Sequence, residues 1–309
     1  MATKRVKRAT KKAASGTRKQ GKRTAKAASG SRGGGYSADW SVARSPDQDV
    51  KSRTRALSNL SIAVSENDTV FDGVLTLLKD TGTPAEVRMA ALLTLQAGRF
   101  SVLLFQHRRP KYLSTLRGLI EDEDLVLRRR VLGILAREKD GMAQSRLLEG
   151  LQDPGRALVA PEKALQLLSY DIHSEAYPLA RDIVQNPPNP EAKREALRLL
   201  AADAESAPVF EQILLDKNEA PEFRRLSASA LHSMAPATLQ EHARAIMLDE
   251  TESGALQATC LTALTAFGQP EAVAKDEALY DRVKGVGESE AASEPMKHVA
   301  RQFLARYHS

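Results

Sequence analysis

The sequence lacks several features that define other classes of protein. It has a single cysteine, Cys260, so no disulfide can form within the chain, which favours a reducing compartment such as the cytoplasm or the nucleus. Aromatic residues are only 5% of the composition, and Trp40 is the one tryptophan. Apolar runs such as VLLF at 102–105 are far shorter than the roughly 20 residues that cross a bilayer. The sequence therefore predicts a cytoplasmic protein without a disulfide framework or a membrane span.

Acidic residues are absent from the first 38 residues, whereas twelve lysines and arginines lie there. The whole chain has 45 basic and 39 acidic residues and a net charge of +6. Without those twelve, 33 basic and 39 acidic residues remain, which leaves the other 271 residues near −6. The overall positive charge is therefore an average of a basic arm and an acidic body.

Residues 1–46 have too few apolar side chains to form a buried face, and we predict a disordered tail over this range. Its cations can neutralise phosphates without reading bases, so the tail is expected to bind DNA, RNA or another polyanion non-specifically. No aromatic residue interleaves the basic residues of 1–35, so base stacking is not indicated. The predicted polyanion-binding residues are Lys4, Arg5, Lys7, Arg8, Lys11, Lys12, Arg18, Lys19, Lys22, Arg23 and Lys26.

Three other roles compete for this tail. The cluster KRVK resembles a nuclear-localisation signal, which matters in a eukaryote. The similarity of the composition to that of bacterial nucleoid proteins instead supports polyanion binding. The tail can also lie on an anionic lipid surface, but it lacks apolar anchors and needs a second signal. The remaining alternative is a solubilising extension without a specific ligand.

After residue 47 the sequence has the rhythm of many short amphipathic helices. Apolar residues recur three and four apart, with Pro, Gly, Asn or Asp every 12 to 20 residues. No segment alternates apolar and polar residues over the length of a strand. Residues 47–309 are therefore predicted to be all-α.

An internal repeat runs through this body. A small apolar residue is followed by leucine in every copy and, three positions after the leucine, by a large apolar residue. The intervals between successive small residues are 35, 40, 33, 32, 34 and 33. Such a period is typical of an α-solenoid, in which each helix pair buries its apolar face only against its neighbours. The small residues are Ala56, Ala91, Val131, Ala164, Ala196, Ala230 and Ala263.

Two copies carry a longer pattern, GTPAEVRMAALLTL at 82–95 and EDEDLVLRRRVLGIL at 121–135. An acidic residue, an aliphatic residue and an arginine precede the small residue and leucine, which resembles the second helix of a HEAT repeat. The resemblance implies a right-handed α-solenoid of seven to eight HEAT-like antiparallel helix pairs, with the second helices on the concave side. It also implies a structural role for Arg88 and Arg128, whereas Pro161 and Cys260 take the arginine position in the fourth and seventh copies.

Motifs for metal or covalent chemistry are missing from the sequence. The six histidines are not at metal-ligand spacing with another histidine or a cysteine, and neither HExxH nor CxxC occurs. HEAT-fold hydroxylases use His-Glu dipeptides as iron ligands, and this chain contains none. Cys260 lies among alanine and leucine, which indicates a small buried residue rather than a nucleophile. We therefore predict no metal, no cofactor and no catalytic residue.

The body has one strongly basic region, QHRRPKY at 106–112 in the longest connection between helices, followed by three consecutive arginines at 128–130. Consecutive helical residues diverge by about 100°, so these arginines cannot share one partner. An anion-binding patch competes with ordinary solvated or locally paired charge as the explanation. The residues of the predicted basic patch are Arg108, Arg109, Lys111, Arg129 and Arg130.

Together these features predict a non-enzymatic scaffold or adaptor that binds a protein partner along its surface, with the tail tethering it to nucleic acid or another polyanion. The alternative is a HEAT-fold enzyme. HEAT-like alkylpurine glycosylases hold DNA on a basic concave surface with aromatic residues and a catalytic aspartate. The acidic body and the single tryptophan of this chain argue against that activity. Bilin-lyase-like enzymes disperse their residues over the scaffold, and no feature of this sequence favours one.

Overall fold

The computed structural model describes residues 36–171 and 174–307, and all regular structure in these ranges is helical. The polyanion-binding residues predicted in the tail lie outside the described residues. The α-helices are α1 (Tyr36–Arg44), α2 (Val50–Asn59), α3 (Ala63–Glu66), α4 (Asp68–Lys79), α5 (Ala85–Gly98), α6 (Val102–Phe105), α7 (Arg109–Arg117), α8 (Leu125–Arg137), α9 (Gly141–Gln152), α10 (Pro161–Leu168), α11 (Ala176–Gln185), α12 (Pro190–Leu200), α13 (Ala207–Leu215), α14 (Pro221–Met234), α15 (Pro236–Leu248), α16 (Gly254–Phe267), α17 (Pro270–Ala274), α18 (Glu277–Glu288) and α19 (Glu294–Tyr307).

The long helices form successive antiparallel pairs, from α1 with α2 to α18 with α19. Each second helix also packs on the second helix of the next pair, so α2, α5, α8, α10, α12, α14, α16 and α19 form one continuous layer. The buried apolar side chains form a single core that runs from Ala43 to Phe303. The predicted all-α solenoid of seven to eight helix pairs is therefore confirmed.

Asparagine and aspartate begin many of these helices, as the sequence pattern suggests. Asp49, Asn67, Asp140 and Asn189 each accept a hydrogen bond from a backbone N–H in the first turn of the helix that follows. Proline occupies the first turn of α10, α12, α13 and α14, where its missing N–H costs nothing. These residues make the short connections sharp and keep neighbouring helices antiparallel.

Helix α1 lies inside the range that the sequence predicts as tail. Its Ala43 is fully buried, and Trp40 packs so closely on α4 that a Cβ at Gly73 would lie 2.2 Å from the indole Cζ2. Trp40 and its neighbours supply the apolar face that the composition of residues 1–46 as a whole does not indicate. The helical body therefore begins by residue 36 rather than at residue 47.

A buried arginine joins the two helices of three pairs. Arg53, Arg88 and Arg224 each donate from Nε to a backbone carbonyl ten residues earlier, over 3.0, 2.9 and 2.9 Å. Arg88 and Arg224 also bond to the carboxylates of Asp122 and Glu252 in the connection of the following pair. The arginine thus ties each helix pair both to itself and to its neighbour.

These arginine contacts follow the length of the connection between the helices. The contacts of Arg53, Arg88 and Arg224 cross connections of equal length, at 45–49, 80–84 and 216–220. The connection before α8 is longer, at 118–124, which shifts the carbonyls of α7 relative to Arg128. Nε of Arg128 is accordingly buried with no hydrogen-bond partner among the described residues.

The last two repeats are shifted by three residues from the predicted alignment. Arg224 in α14 and Gln257 in α16 occupy the arginine position, and the amide of Gln257 donates to backbone carbonyls at the end of α15. The small residues of these two repeats are therefore Ser227 and Cys260, both fully buried. The prediction that Cys260 stands at the arginine position is wrong, because a second small residue three positions later mimics the motif.

No single helix in the described part of the chain is long and apolar enough to span a membrane. One pair, Ala85–Gly98 with Val102–Arg117, has the required length and composition only when taken together, and it is bent by 118°.

Candidate functional site

A groove in the surface of the described chain runs along the layer of second helices. Two adjoining parts, with volumes of about 870 and 820 Å³, share Met89, Leu93 and Val126 and are therefore continuous. We call this surface the basic groove. Its principal side chains are Lys51, Arg55, Met89, Leu93, Val126, Arg129, Arg130, Arg137, Lys163, Tyr170 and Arg194.

Helix periodicity explains which residues reach the basic groove. On α8, Val126, Arg129, Arg130, Gly133 and Arg137 recur three and four apart and therefore lie along one face. The opposite face of α8 carries the leucines and valine of the core. The same spacing on α2, α5 and α10 brings one row of side chains from each helix to the groove.

The groove cations differ from most other cations of the body because they are not neutralised locally. Seven lysines and arginines line the groove, and six of them form no ion pair with any described residue. Arg194 is the exception, since it pairs with Glu222. The six unpaired cations are Lys51, Arg55, Arg129, Arg130, Arg137 and Lys163.

The groove is also lined by five carboxylates, Glu86, Asp124, Glu162, Glu191 and Glu195. Asp124 accepts the backbone N–H groups of Val126 and Leu127 and so caps α8, and Glu162 accepts from the side-chain amide of Asn189. Glu195 pairs with Arg198 on its own helix. Seven cations against five carboxylates leave this surface with a formal excess of two positive charges, on a body whose sequence is acidic overall.

The floor of the groove is apolar and ends at an aromatic side chain. Leu93 and Val126 are 45% and 67% exposed, and Met89 is partly buried and packs against the core. At the far side the guanidinium of Arg137 lies 5.4 Å from the ring centroid of Tyr170. The groove thus combines unpaired cations with apolar and aromatic surface.

The residues of the predicted basic patch fall into two groups. Arg108 is buried, where it donates to the carbonyls of Ser65 and Leu104 and pairs with Asp68 over 2.7 Å. Lys111 pairs with Asp72 over 2.7 Å, and Arg109 pairs with Glu138 over 2.5 Å. Arg129 and Arg130 instead lie in the basic groove, where Arg130 donates to the amide oxygen of Gln96. The structure does not bring the five side chains together on one surface.

Glu138 shows how tightly the first group is held. Arg99 and Arg109 both bond to its carboxylate, which is largely buried. Burial raises the pKa of Glu138, but the hydrogen bonds and charges of Arg109 and Arg99 outweigh burial and hold the pKa below its ordinary value. Arg99 and Arg109 therefore act as structural partners of Glu138.

Metal-ligating clusters and the one cysteine were the sites to consider for covalent or metal chemistry in the described residues. No group of three or more histidine, cysteine, aspartate or glutamate side chains in these ranges is placed to hold a metal ion. Burial raises the pKa of the Cys260 thiol to about 12, so the reactive thiolate is scarce near neutral pH. Cys260 is a core residue of α16.

Sequence reasoning predicted only Arg129 and Arg130 among the principal groove side chains and missed the other nine, Lys51, Arg55, Met89, Leu93, Val126, Arg137, Lys163, Tyr170 and Arg194. Part of the signal was present in the repeat register, because Arg55, Arg130 and Lys163 lie just before the small residue, and Arg137 and Tyr170 lie six residues after it. Reading those positions across successive repeats collects cations that are far apart in the sequence.

No protein-family model matches the chain, and no curated protein matches it. A solved structure of human deoxyhypusine hydroxylase in complex with glycerol resembles it, with a TM-score of 0.34 and 16% sequence identity. The match covers 81% of this chain and 99% of the hydroxylase chain. The likeness concerns the helical fold and transfers no residue or activity to this protein.

The prediction of a non-enzymatic scaffold that binds a protein partner is corrected by this finding. A solved structure that resembles this chain is that of an enzyme. The class of protein defined by the structure is a helical solenoid with a basic groove along its second helices, and its function has to be argued from that groove.

Proposed function

We propose that the basic groove binds a single strand of nucleic acid, and that the protein belongs among those that act on such strands. The observation that carries the proposal is the row of six unpaired cations along the layer of second helices in an acidic body. A polyanion releases condensed counterions when such cations replace them, which favours binding. Ion pairing inside the body consumes Arg108, Arg109 and Lys111 but leaves the groove cations available.

The apolar floor favours a single strand over a duplex. A duplex presents phosphates at its surface and keeps its base faces stacked inside, so Leu93, Met89 and Val126 would gain nothing from it. A single strand exposes base faces that can contact apolar side chains and stack on Tyr170 while its phosphates meet the arginines. A single strand would therefore contact both the cations and the apolar surface of the groove.

The groove cations come from three helices of the layer. Helices α8 and α10 pack together, and neighbouring packed helices lie about 8–10 Å apart, whereas α5, which lies between α2 and α8, supplies Met89 and Leu93 instead of cations. A strand crossing the layer would meet cations on α2, apolar side chains on α5, and cations again on α8 and α10. The predicted tail cations can add a non-specific contribution of the same sign, and both contributions weaken with salt.

The test is a salt titration of a labelled single-stranded oligonucleotide, as DNA and as RNA, against the full chain. We expect Arg55→Ala with Arg129→Ala to reduce the slope of log K against log salt by about 1.4, because each phosphate contact on a single strand contributes about 0.7. The matched control is Lys275→Ala, an exposed lysine outside the groove. All three chains keep the same tail, so a tail contribution cancels.

An unchanged slope in the double variant would refute binding in the groove, even if the full chain binds the oligonucleotide. Preference for an acidic peptide over the oligonucleotide, lost in the same variant, would also refute the proposal. A slope reduced by about 0.7 in Lys275→Ala, half the effect of the double variant for half the charge, would show that only total charge matters.

An enzyme acting on nucleic acid is the second candidate, because carboxylates stand among the cations of the groove. Glu86 is exposed there and makes no ion pair with a described residue, so it is accessible as a general acid or base. The sequence-based objection that the body is acidic does not apply to this surface. The test is release of a base from alkylated DNA, or cleavage of the strand. This candidate would be supported if Glu86→Gln loses that activity but still binds the oligonucleotide.

A further inference from the structure

A smaller depression opens beside the basic groove, where α5 ends. We call it the side depression, and besides two groove residues its principal side chains are Gln96, Arg99, Phe100 and Val102. Its volume of about 580 Å³ lies within the range of roughly 300–1,000 Å³ that is typical of sites for small molecules. It shares Leu93 and Arg130 with the basic groove. A strand bound in the groove would therefore pass the mouth of the side depression.

One face of α5 carries apolar surface from the groove into the side depression. Met89, Leu93 and Gln96 recur four and three residues apart, and Phe100 follows four residues later in the turn that ends α5. Phe100 and Val102 are 90% and 70% exposed. The apolar floor of the groove thus continues to an aromatic ring that is almost fully open to solvent.

The backbone that carries this ring is ordered. The N–H of Phe100 donates to the carbonyl of Ala97 over 3.2 Å. Phe105, five residues later, is buried and makes edge-to-face contacts with Phe71 and Tyr112 at centroid distances of 5.7 and 5.6 Å. An aromatic side chain also has only two torsions to order when a partner covers it. Phe100 is therefore suited to contact a flat apolar partner at a small entropic cost.

The side depression offers little positive charge to a phosphate. Arg99 is bonded to the carboxylate of Glu138, and its guanidinium also lies 5.7 Å from the ring centroid of Tyr112. Among the described residues that line the side depression, Arg130 is the only cation without an ion pair. The surface therefore matches the base of a nucleotide, which has an apolar face and a polar edge, better than it matches the charged backbone.

The side-chain amide of Gln96 has a defined orientation. Nε and Nη2 of Arg130 both donate to Oε1 of Gln96, over 3.2 and 3.0 Å. A guanidinium can only donate, so the amide oxygen has to face Arg130. No described residue accepts a hydrogen bond from Nε2 of Gln96. Gln96 therefore offers N–H donors to a ligand, while both lone pairs of its oxygen are already engaged.

We propose that the side depression receives an unstacked base of the strand that the basic groove binds, with the base stacked on Phe100 and its edge bonded by Gln96. This inference rests on the function proposed for the groove. A glutamine that recognises adenine accepts from the amino group and donates to a ring nitrogen. Because Arg130 occupies the oxygen of Gln96, only donation remains, and the carbonyl oxygens of thymine or uracil are better partners than adenine.

The experiment measures the affinity of the full chain, at one salt concentration, for oligo(dT), oligo(dA) and a strand of abasic spacers of equal length. Phe100→Ala should lower the affinity for oligo(dT) about fivefold or more, because stacking of a base is lost. It should leave the abasic strand unaffected, since that strand has the same phosphates and no bases. The matched control is Leu103→Ala, which removes a side chain of 85% exposure on the same protrusion but outside the side depression, and should change neither affinity.

Base preference is tested with Gln96→Leu, which keeps the approximate size of the side chain and removes its donors. The ratio of oligo(dT) to oligo(dA) affinity should fall about twofold or more relative to the wild type, which corresponds to the loss of one hydrogen bond. Comparing this ratio between the two proteins cancels any difference in flexibility between the strands. An unchanged ratio would overturn the role assigned to Gln96.

Three outcomes would overturn the base site itself: no loss of oligo(dT) affinity in Phe100→Ala, an equal loss in Leu103→Ala, or an equal loss for the abasic strand. If Arg55→Ala with Arg129→Ala still lowers the salt slope in that case, the groove binds the strand without the side depression, and only this inference fails. An unchanged slope in that double variant refutes groove binding. Absence of binding to every strand by the wild-type chain refutes both.

Discussion

At the scale of single residues, Arg88 and Asp122 form a buried ion pair whose loss is expected to destabilise the protein. Their side chains are 5% and 4% exposed, and Nε of Arg88 also donates to the carbonyl of Leu78 over 2.9 Å. Arg88→Ala should therefore lower the free energy of unfolding by about 3–5 kcal/mol, because it leaves the Asp122 carboxylate buried without its counter-charge. Urea unfolding followed by circular dichroism measures the change.

The matched control is Arg194→Ala, which removes an exposed pair with Glu222 in a neighbouring repeat. Solvent screens that pair, so its loss should change the midpoint little. Equal destabilisation by the two substitutions would contradict the structural role assigned to the buried arginine.

The residues of the basic groove show what the sequence could and could not reveal about the site. Arg129 and Arg130 were predicted to bind anions, and they line the groove. Arg108 had the same local signal, three basic residues within a short stretch, but it is buried against the carbonyls of Ser65 and Leu104. The difference lies in tertiary partners from α3 and α4, which no local pattern contains.

At the scale of elements, helix α1 depends on the contact between Trp40 and the backbone of α4. A side chain at Gly73 would occupy the space of the indole, so Gly73→Val should displace α1 and destabilise the protein by about 1–3 kcal/mol. Because Trp40 is the only tryptophan, its fluorescence reports the position of α1 directly. The emission maximum should move to longer wavelength as the indole becomes exposed.

Gly141→Ala at the start of α9 is the control, since a Cβ there meets no atom within 4 Å. An unshifted emission spectrum in Gly73→Val would show that α1 does not depend on this contact. A truncated chain that starts at residue 47 also removes the carbonyl of Ala43 that Arg53 needs, so a test of the tail should begin the chain at residue 36.

The helices themselves were largely predictable, whereas their register was not. The three-and-four spacing and the period of the repeat depend on burial against neighbouring repeats, which the sequence records directly. In α16 the motif matches at Cys260 and again at Ala263, and only the contacts of Gln257 choose between them. In α14 leucine follows Ala230 alone, and only the contact of Arg224 shows that Ser227 is the small residue. Helix α1 was missed because its apolar face is short and follows a long basic segment.

At the scale of the whole molecule, paired and unpaired cations lie in different places. Carboxylates of the connections take up basic side chains between successive repeats, as in Arg88 with Asp122 and Arg224 with Glu252. The layer of second helices from α2 to α10 keeps cations without such partners. A chain with an acidic body can therefore present a basic binding surface, which net charge alone conceals.

Because each helix pair contacts mainly its neighbours, a destabilising substitution should affect mainly the repeats next to it. Phe303 in α19 is fully buried, and Phe303→Ala should cost about 3–5 kcal/mol within the last repeats. Hydrogen exchange should speed up in α16, α18 and α19 but remain unchanged from α2 to α12, and oligonucleotide binding by the basic groove should persist. Leu132→Ala in α8 is the contrasting variant, since it lies under the groove and should loosen helices on both sides. A uniform loss of protection after Phe303→Ala would mean that the solenoid unfolds as one cooperative unit, and that its two ends are energetically coupled.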